Sequence, residues 1–145
     1  MKLSTRSRYG TRMMLELAKN FETGPIQIGD IAKKQNISVK YLEQLIIPLK
    51  QSGIINSYRG PRGGHVLAKS PEEITIGEIV RILEGGIDLT ECLSNPDFCE
   101  KSKDCSTRDV WEEVTKAMYE KLDSINLSKM LEMERNSGCD GLKES

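Results

Sequence analysis

Apolar and small residues recur at helical spacing in the first part of the chain. The recurring positions are Gly10, Met13, Met14, Leu17, Ala18 and Phe21. Intervals of three and four residues place these positions on one face of a helix. Ser4 or Thr5 can cap the start of this helix, and Gly24-Pro25 predicts its end. The pattern therefore predicts a first helix that buries one face.

Two shorter helical patterns follow, separated by the tetrapeptide Gln35-Asn36-Ile37-Ser38. Asn tolerates left-handed backbone and Ser is a favoured N-cap, so this tetrapeptide predicts a tight turn between two helices. The helix before the turn would bury Ile28, Ile31 and Ala32. The helix after it would bury Leu42, Leu45, Ile46 and Leu49, expose Val39, Lys40, Tyr41, Glu43, Gln44 and Ile47, and bend near Pro48. This arrangement predicts a helix-turn-helix.

Two β-prone runs, residues 54–59 and 65–69, enclose Gly60-Pro61-Arg62-Gly63-Gly64. Short runs of this kind around a Gly- and Pro-rich turn predict a hairpin. A hairpin directly after a helix-turn-helix is the arrangement of a wing, and its basic tip favours a role in DNA binding. His65 is the only histidine of the chain, and we expect it to be a surface residue of this wing.

Two further helices are predicted after the wing. Capping-box patterns begin at Ser70 and Thr75, and the helix that they introduce ends at Gly85-Gly86. Its apolar positions are Ile76, Ile79, Val80 and Leu83. The last strong helix begins near Thr107 and repeats apolar residues at Trp111, Val114, Met118, Leu122 and Ile125. A stripe this long suits a partner helix, so we expect a homodimer, with intramolecular packing as the alternative.

These patterns predict a mainly α-helical fold with a small β-hairpin. We assign residues 1–86 to a winged helix-turn-helix domain and residues 87–106 to a cysteine-rich loop. Residues 107–135 would form the dimerisation helix and a short terminal helix, and residues 136–145 a disordered tail. No targeting signal or membrane-spanning run is seen, so we expect a cytoplasmic protein.

Charge divides the chain into two unlike halves. Residues 1–70 carry 12 Lys and Arg against 4 Asp and Glu, whereas residues 71–145 carry 9 against 18. A basic half is the electrostatic footprint of a protein that binds the phosphate backbone. The acidic half should face away from DNA. No phosphate-binding Gly loop, nucleophile with a nearby histidine, or paired-carboxylate pocket is found, and we expect no enzyme activity.

The candidate chemistry lies in three cysteines, Cys92, Cys99 and Cys105, within 14 residues directly after the DNA-binding module. Thiolates this close in a flexible loop can share one soft metal centre, and an iron–sulfur cluster is the favoured interpretation. A zinc staple, a disulfide and reduced thiols without a ligand are the alternatives. A reducing cytosol argues against the disulfide. Cys139, in the Gly-rich tail, is expected to be a free thiol.

The chain resembles the winged-helix regulators that include IscR, NsrR and CymR. The resemblance runs from Met1 to about Leu131 and is carried by Ser7-Arg8-Tyr9-Gly10, Tyr41-Leu42-Glu43-Gln44-Leu45, Arg59-Gly60-Pro61-Arg62-Gly63-Gly64 and the cysteine loop. The first 86 residues are most similar to the CymR branch, notably Pro48-Leu49-Lys50 and Val80-Arg81-Ile82-Leu83-Glu84-Gly85. The cysteine triplet followed by Asp109-Val110-Trp111 is similar to IscR and NsrR.

The resemblance implies a transcription factor that holds an iron–sulfur cluster through Cys92, Cys99 and Cys105, and that regulates cluster-assembly, iron or redox genes. A [2Fe–2S] cluster fits best, with [4Fe–4S] as the alternative. IscR proteins have a histidine ligand where this chain has Arg108, and NsrR proteins an aspartate near Arg8. A guanidinium cannot ligate iron. The candidate fourth ligands are Asp104, Ser106, Thr107, Cys139 and a carboxylate of a partner subunit.

The alternative function is a cluster-free regulator of cysteine and sulfur metabolism. CymR proteins lack the cysteine triplet and work with a partner enzyme of cysteine synthesis. Similarity of the first 86 residues to this branch keeps that alternative open. Colour separates the two functions, because a cluster protein purified without oxygen is brown.

The expected partner of the basic half is a double-stranded DNA operator. The predicted DNA-binding residues are Ser38, Tyr41, Glu43, Gln44, Ser57, Arg59 and Gly60. The Gln44 amide can pair with an adenine edge. Glu43 would repel phosphates, and its alternative role is an ion pair with Lys40 or with the neighbourhood of Lys50. In IscR-like proteins the matching glutamate rejects one class of site until the cluster forms, which implies the same gating here.

Overall fold

The computed structural model describes residues 2–86 and 105–137, with the single residues 93, 95, 97 and 100 between them. In this part of the chain, six helices accompany one two-stranded hairpin. The elements are α1 (Thr5–Lys19), α2 (Ile28–Gln35), α3 (Val39–Gln51), β1 (Ile55–Tyr58), β2 (Gly64–Leu67), α4 (Ile76–Glu84), α5 (Ser106–Asp123) and α6 (Leu127–Asn136). The predicted mainly helical fold with a hairpin wing is confirmed.

The core forms where α1, α3 and α4 meet beneath the wing. Its fully buried members include Met13, Met14, Leu17, Leu42, Leu45, Leu49, Ile54, Ile79 and Leu127. Helix α1 approaches α4 closely at Gly10, where an added Cβ would overlap the Leu83 side chain. A similar approach joins α4 to α5, because a Cβ on Gly77 would overlap the Asp123 carboxylate. Two glycines thus allow these helices to pack at short distance.

The turn between α2 and α3 has the predicted geometry. Asn36 ends α2 in the left-handed conformation, with φ 54° and ψ 49°. Ser38 is the N-cap of α3, and its hydroxyl oxygen accepts a hydrogen bond from the Tyr41 N–H at 3.2 Å. Ile37 is buried between the helices. Helix α3 continues through Pro48 to Gln51. The local chemistry of the turn therefore sets the angle at which α3 is presented.

The expectation that Phe21 belongs to the face of α1 was wrong, whereas the expected N-cap at Ser4 is confirmed by its position. Phe21 lies beyond the end of α1, in the turn that follows it, and is half-buried there. Ser4 is the N-cap residue of α1 by position, but its side chain makes no capping hydrogen bond. Its hydroxyl donates instead to the Glu84 carboxylate. A tertiary partner has displaced the local one, which sequence spacing does not show.

The wing is an antiparallel pair in which Ser57 lies opposite His65 and Ile55 opposite Leu67. An isolated bridge attaches it to the segment before α2. The Ile26 N–H donates to the His65 carbonyl at 3.0 Å, and the His65 N–H donates to the Ile26 carbonyl at 2.9 Å. Gly64 has φ 146°, and a Cβ there would overlap the Ile26 carbonyl. His65 is half-buried and lies next to this bridge, so it is less exposed than the surface residue that the sequence led us to expect.

The apolar stripe of α5 divides into two parts. Met118, Leu122 and the following Ile125 pack against the core. Val110, Trp111 and Val114 are 50%, 41% and 45% exposed, and α5 contains no buried residue. The first turns of α5 therefore carry an uncovered apolar face. Among the residues described, no helix is both long and apolar enough to cross a membrane.

Candidate nucleic-acid interface

Helix α3 presents a polar face that the core does not cover. Leu42, Leu45, Ile46 and Leu49 are buried, as the helical period predicts. Ser38, Glu43 and Gln44 are exposed on the other side, while Tyr41 is half-buried rather than exposed. No ion pair reaches Glu43 within the described chain, so its carboxylate is not neutralised by Lys40. This face can offer hydroxyl, amide and carboxylate groups to base edges.

Tyr41 is half-buried because it packs against α1. Its ring meets the Tyr9 ring edge to face, with centroids 5.9 Å apart. The guanidinium carbons of Arg8 and Arg12 lie 5.6 and 5.3 Å from the Tyr9 ring centroid. Cation–π and T-shaped contacts at these distances are attractive. The aromatic pair thus links the start of α1 to the first turn of α3, beside two cations.

Helix α1 also fixes the end of α2 through Gln35. Arg12 donates from Nε to Gln35 Oε1 at 2.8 Å and from Nη2 to the Gln35 carbonyl at 2.6 Å. Gln35 Nε2 in turn donates to the buried Glu16 carboxylate at 2.6 Å. Lys19 and Lys34 approach Glu16 at 3.3 and 3.9 Å. These contacts satisfy a buried charge and hold the helix-turn-helix against α1.

The wing and the end of α3 enclose an open cavity. Its lining residues are Ile46, Ile47, Lys50, Gln51, Ser57, Tyr58, Arg59 and His65. Gly60 follows Arg59 with φ 103°, a left-handed conformation that favours glycine at the tip. Burial, followed by the charge of Lys50, lowers the pKa of His65 below its usual value. Two cations and a largely neutral imidazole therefore share this surface.

Cys105 is the one member of the cysteine triplet among the described residues, because Cys92 and Cys99 lie outside them. It is the N-cap residue of α5, and its Sγ lies 2.8 Å from Thr107 Oγ1. The Thr107 hydroxyl, then the Arg108 backbone N–H, lower the pKa of Cys105. Helix N-termini favour thiolates in the same way. No group of three potential metal ligands forms among the described residues.

Side-chain contacts hold α4 and α5, the helices before and after the cysteine segment. On one side, Glu84 accepts hydrogen bonds from the Ser4 N–H at 3.0 Å and the Ser7 hydroxyl at 2.5 Å. Partial burial alone would raise the pKa of Glu84, but the hydrogen bonds from Ser4 and Ser7 lower it. On the other side, Arg81 donates to both Asp123 oxygens, at 2.6 and 2.8 Å. These contacts tie α4 to α1 and to α5.

Comparison with known proteins decides the family. The family model Rrf2, described as "Iron-dependent Transcriptional regulator", matches residues 3–133. The chain belongs to the Rrf2 family. It is similar to the Rrf2 protein of Nitratidesulfovibrio vulgaris, with 45% identity over 90% of this chain and 87% of that one.

Two solved structures are also similar to this Rrf2 chain. T. potens IscR is 38% identical, with a TM-score of 0.77 over 94% of this chain and 90% of that one. The structure of CymR, the global cysteine regulator of B. subtilis, is 42% identical, with a TM-score of 0.75 over 90% and 95%. The resemblance to IscR- and CymR-type regulators is confirmed.

The protein is therefore an Rrf2-family DNA-binding transcriptional regulator. Its relatives are named as transcriptional regulators, which confirms that the chain is not an enzyme. Among the predicted site residues, Tyr41, Glu43 and Gln44 lie on α3 and Ser38 caps its start, while Ser57, Arg59 and Gly60 lie together on the wing. Whether these residues contact DNA stays a prediction, as does cluster binding by the three cysteines.

Sequence reasoning did not assign a role to Tyr9, Arg12, Glu16 or Gln35. A signal existed for Glu16, since a charge at that position interrupts the apolar face formed by Met13, Met14 and Leu17. The Tyr9 contact had no comparable signal, because it joins two helices that are distant in sequence. In this Rrf2 chain, the contacts of α1 thus help to position α3.

Proposed function

We propose that this Rrf2-family regulator binds operator DNA as a homodimer and that its DNA binding depends on an iron–sulfur cluster held by Cys92, Cys99 and Cys105. The observation that carries this proposal is the contact of Cys105 with Thr107 at the N-terminus of α5. The Thr107 hydroxyl, then the Arg108 backbone N–H, lower the pKa of Cys105, which favours the thiolate. Thiolates, not thiols, ligate iron. The family's iron-dependent description agrees with this chemistry.

The described residues are compatible with an iron–sulfur cluster, and they narrow the choice of its fourth ligand. A bound cluster would supply a redox-active iron–sulfide centre whose loss or oxidation can be sensed. Thr107 already uses its hydroxyl on Cys105, and Arg108, half-buried beside Glu112 at 3.8 Å, carries a guanidinium that cannot coordinate iron. Ser106 is exposed and free of that contact. Asp104, Cys139 and a partner carboxylate remain candidates outside the described residues.

In the DNA complex, α3 would enter the major groove and the wing would reach the flanking backbone. Ser38 and Gln44 are exposed at the start of α3, and they would meet base edges together with the half-buried Tyr41 beside them. Ser57, Arg59 and Gly60 would lie along phosphates or the minor groove. The positions of α3 and of the hairpin support this assignment, because winged helix-turn-helix domains present these two elements on one side.

A chain of side-chain contacts leads from the end of α4, before the cysteine segment, to α3. Glu84 precedes the loop and holds the N-terminal turn of α1 through Ser4 and Ser7. One turn later, Tyr9 of α1 contacts Tyr41 of α3. Cluster binding by the cysteine segment could therefore bias α1, and through it the orientation of α3. Glu43 would then admit or reject a site according to where its unpaired carboxylate lies.

A second copy of the chain would cover the apolar face at the start of α5. Val110, Trp111 and Val114 are the exposed members of the stripe. Clusters of exposed apolar residues mark interaction surfaces, and two DNA half-sites call for a two-fold dimer. A carboxylate of the second copy could then serve as the fourth cluster ligand. A regulator that binds operator DNA would act in the cytoplasm.

The test is anaerobic purification of the full chain followed by iron and sulfide analysis. Wild type should be brown, and Mössbauer spectra should distinguish [2Fe–2S] from [4Fe–4S]. Single Ala replacements of Cys92, Cys99 and Cys105 should each remove iron and sulfide, whereas Cys139→Ala is the matched control that retains them. If wild-type protein stayed colourless and took up no iron during reconstitution, the proposed cluster would be refuted. Loss of iron in Cys139→Ala would make Cys139 the fourth ligand.

A second function is favoured by the similarity to the B. subtilis global cysteine regulator. In that case the three cysteines would bind no cluster, and a protein partner would control DNA binding. Triple Ala replacement would then leave the DNA affinity of the anaerobic protein unchanged. Addition of an enzyme of cysteine synthesis would change that affinity. The cluster proposal instead expects triple Ala replacement to change the DNA affinity, and addition of the enzyme to leave it unchanged.

A further inference from the structure

Ser57 and His65 form a side-chain pair in the wing. They lie opposite each other in the β1–β2 register, with Ser57 Oγ 2.7 Å from His65 Nδ1. The His65 backbone is held on its other side by two hydrogen bonds to Ile26, at 2.9 and 3.0 Å. The imidazole ring is therefore attached to a backbone segment that lies between β1 on one side and Ile26 on the other. Its Nδ1 has a fixed neighbour in the Ser57 hydroxyl.

This pair borders the cavity between the wing and α3. Lys50 from α3 and Tyr58 and Arg59 from the wing are the other titratable or charged groups that line it. Lys50 and Arg59 are exposed, and both carry positive charge. A phosphate group is the ligand that this combination of two cations and a hydroxyl fits. The double-helical backbone provides such phosphates beside a wing.

The direction of the Ser57–His65 hydrogen bond decides what Ser57 can offer to a phosphate. When Nδ1 carries no proton, it accepts from the Ser57 hydroxyl, and only oxygen lone pairs face outward. When Nδ1 carries a proton, it donates to Ser57 Oγ, and the hydroxyl hydrogen is free to turn outward. A phosphate oxygen accepts hydrogen bonds and repels lone pairs. It therefore selects the second arrangement.

We propose that His65 is a positioning residue for DNA binding, and that its Nδ1–H directs the Ser57 hydroxyl to donate a hydrogen bond to a DNA phosphate. The inference rests on the proposed role of the wing at the DNA backbone. His65 need not touch the DNA itself. It acts through Ser57, while Lys50 and Arg59 supply the charge that attracts the phosphate.

Proton uptake follows from this arrangement. In the free protein, burial and the charge of Lys50 lower the pKa of His65. A phosphate in the cavity favours the imidazolium, in which Nδ1 always carries a proton, so the pKa of His65 rises in the complex. Binding then takes up protons, and affinity increases as the pH falls from about 7.5 to about 5.5. The chain has a single histidine, so the effect has one principal candidate.

The experiment measures Kd between the full-length protein and a duplex selected from a random pool, at constant ionic strength across this pH range. Wild type should tighten with falling pH, by at most about tenfold per pH unit, because at most one proton is taken up. Calorimetry in buffers of different ionisation enthalpy should return a proton number between zero and one. Ring nitrogen shifts of labelled His65 should show Nδ1 protonated in the complex.

Matched variants separate positioning from charge. His65→Asn supplies a permanent N–H donor and should bind tightly without pH dependence. His65→Phe lacks the donor and should bind weakly without pH dependence. Ser57→Ala should reduce the pH dependence, because only the attraction between imidazolium and phosphate then remains. Arg59→Ala should weaken binding but keep the full pH dependence. Circular dichroism checks that each variant folds.

Three results would overturn the inference. If the pH dependence persisted in both His65 variants, the proton taken up on DNA binding would belong to another group, such as Glu43. If Ser57→Ala kept the full pH dependence, the charge of His65 alone would explain it, and His65 would not position the Ser57 hydroxyl. Unchanged affinity in Arg59→Ala would remove the wing from the DNA interface, and with it the part of the proposed function on which this inference rests. The first two results leave that function standing.

Discussion

Ser7 of α1 donates a hydrogen bond of 2.5 Å to Glu84, the last residue of α4. Ser4 donates to the same carboxylate from its N–H at 3.0 Å. A negative charge near the start of α1 is favourable, because the first N–H groups of a helix have no partners within it. One carboxylate therefore fastens the beginning of α1 to the end of α4, three residues before the cysteine segment begins at residue 87.

Glu84→Gln should lower stability in a pH-dependent way. The hydrogen bonds of Ser4 and Ser7 lower the pKa of folded Glu84 below its ordinary value of 4.5. The stabilisation is thus present above the unfolded pKa and is lost as the pH falls through the folded pKa. Urea unfolding should show wild type more stable than Glu84→Gln at neutral pH, with the difference shrinking below about pH 5. The exposed Glu72→Gln is the control, and an equal profile for both variants would refute the assignment.

Gly10→Ala should destabilise the fold, because the new methyl group would overlap Leu83 in the α1–α4 contact. Overpacking of this kind costs about 1–3 kcal/mol of unfolding free energy. Gly29→Ala is the matched control: it lies in α2 with no atom near the added Cβ. That replacement should stabilise by about 0.5–1 kcal/mol, since Gly is a poor helix former. Similar unfolding free energies for the two variants would contradict the close helix approach.

Gln44→Ala and Arg59→Ala should affect DNA binding in different ways. Loss of the Gln44 amide should remove about 1–3 kcal/mol of discrimination at one base position. Loss of Arg59 should weaken binding to all sequences and reduce the salt slope by about one. Binding to a set of single-base operator variants at several salt concentrations measures both. If Gln44→Ala kept every base preference, the placement of α3 would be wrong.

Glu43→Ala should relax the choice of sites by the cluster-free protein. The Glu43 carboxylate is exposed, so its repulsion of the wrong site should persist unless α3 shifts. Coupling between cluster and site choice is expected at about 1–3 kcal/mol, the usual range for allosteric systems. Selection from a random pool, with apo and cluster-loaded proteins at equal salt, measures it. Identical selections by wild-type apo and loaded protein, unchanged in Glu43→Ala, would exclude gating.

The helix-turn-helix could be predicted because its determinants are local. The faces of α3 follow from helical periodicity, and the left-handed Asn36 and the Ser38 cap follow from turn chemistry. The hairpin followed from its Gly- and Pro-rich turn in the same way. Each of these features depends on residues a few positions apart, which a single sequence displays directly.

The supports of the site could not be predicted, because they join distant segments. The Tyr9–Tyr41 contact, and the Glu16–Gln35 hydrogen bond, exist only after α1 has packed on the helix-turn-helix. The burial of His65 depends on a bridge to Ile26 that no sequence pattern announces. The division of the α5 stripe at Met118 could not be predicted either. Apolar residues that face the core and apolar residues that face a partner helix recur with the same spacing in the sequence.

Trp111 is the only tryptophan of the chain and lies on the uncovered start of α5, six residues after Cys105. Indole emission shifts to shorter wavelength when water leaves the ring, and excitation at the red edge avoids the tyrosines. The native chain thus contains an intrinsic optical reporter at one defined place. Any event that covers or uncovers the first turns of α5 becomes a spectral change in unlabelled protein, readable in real time during titration or exposure to air.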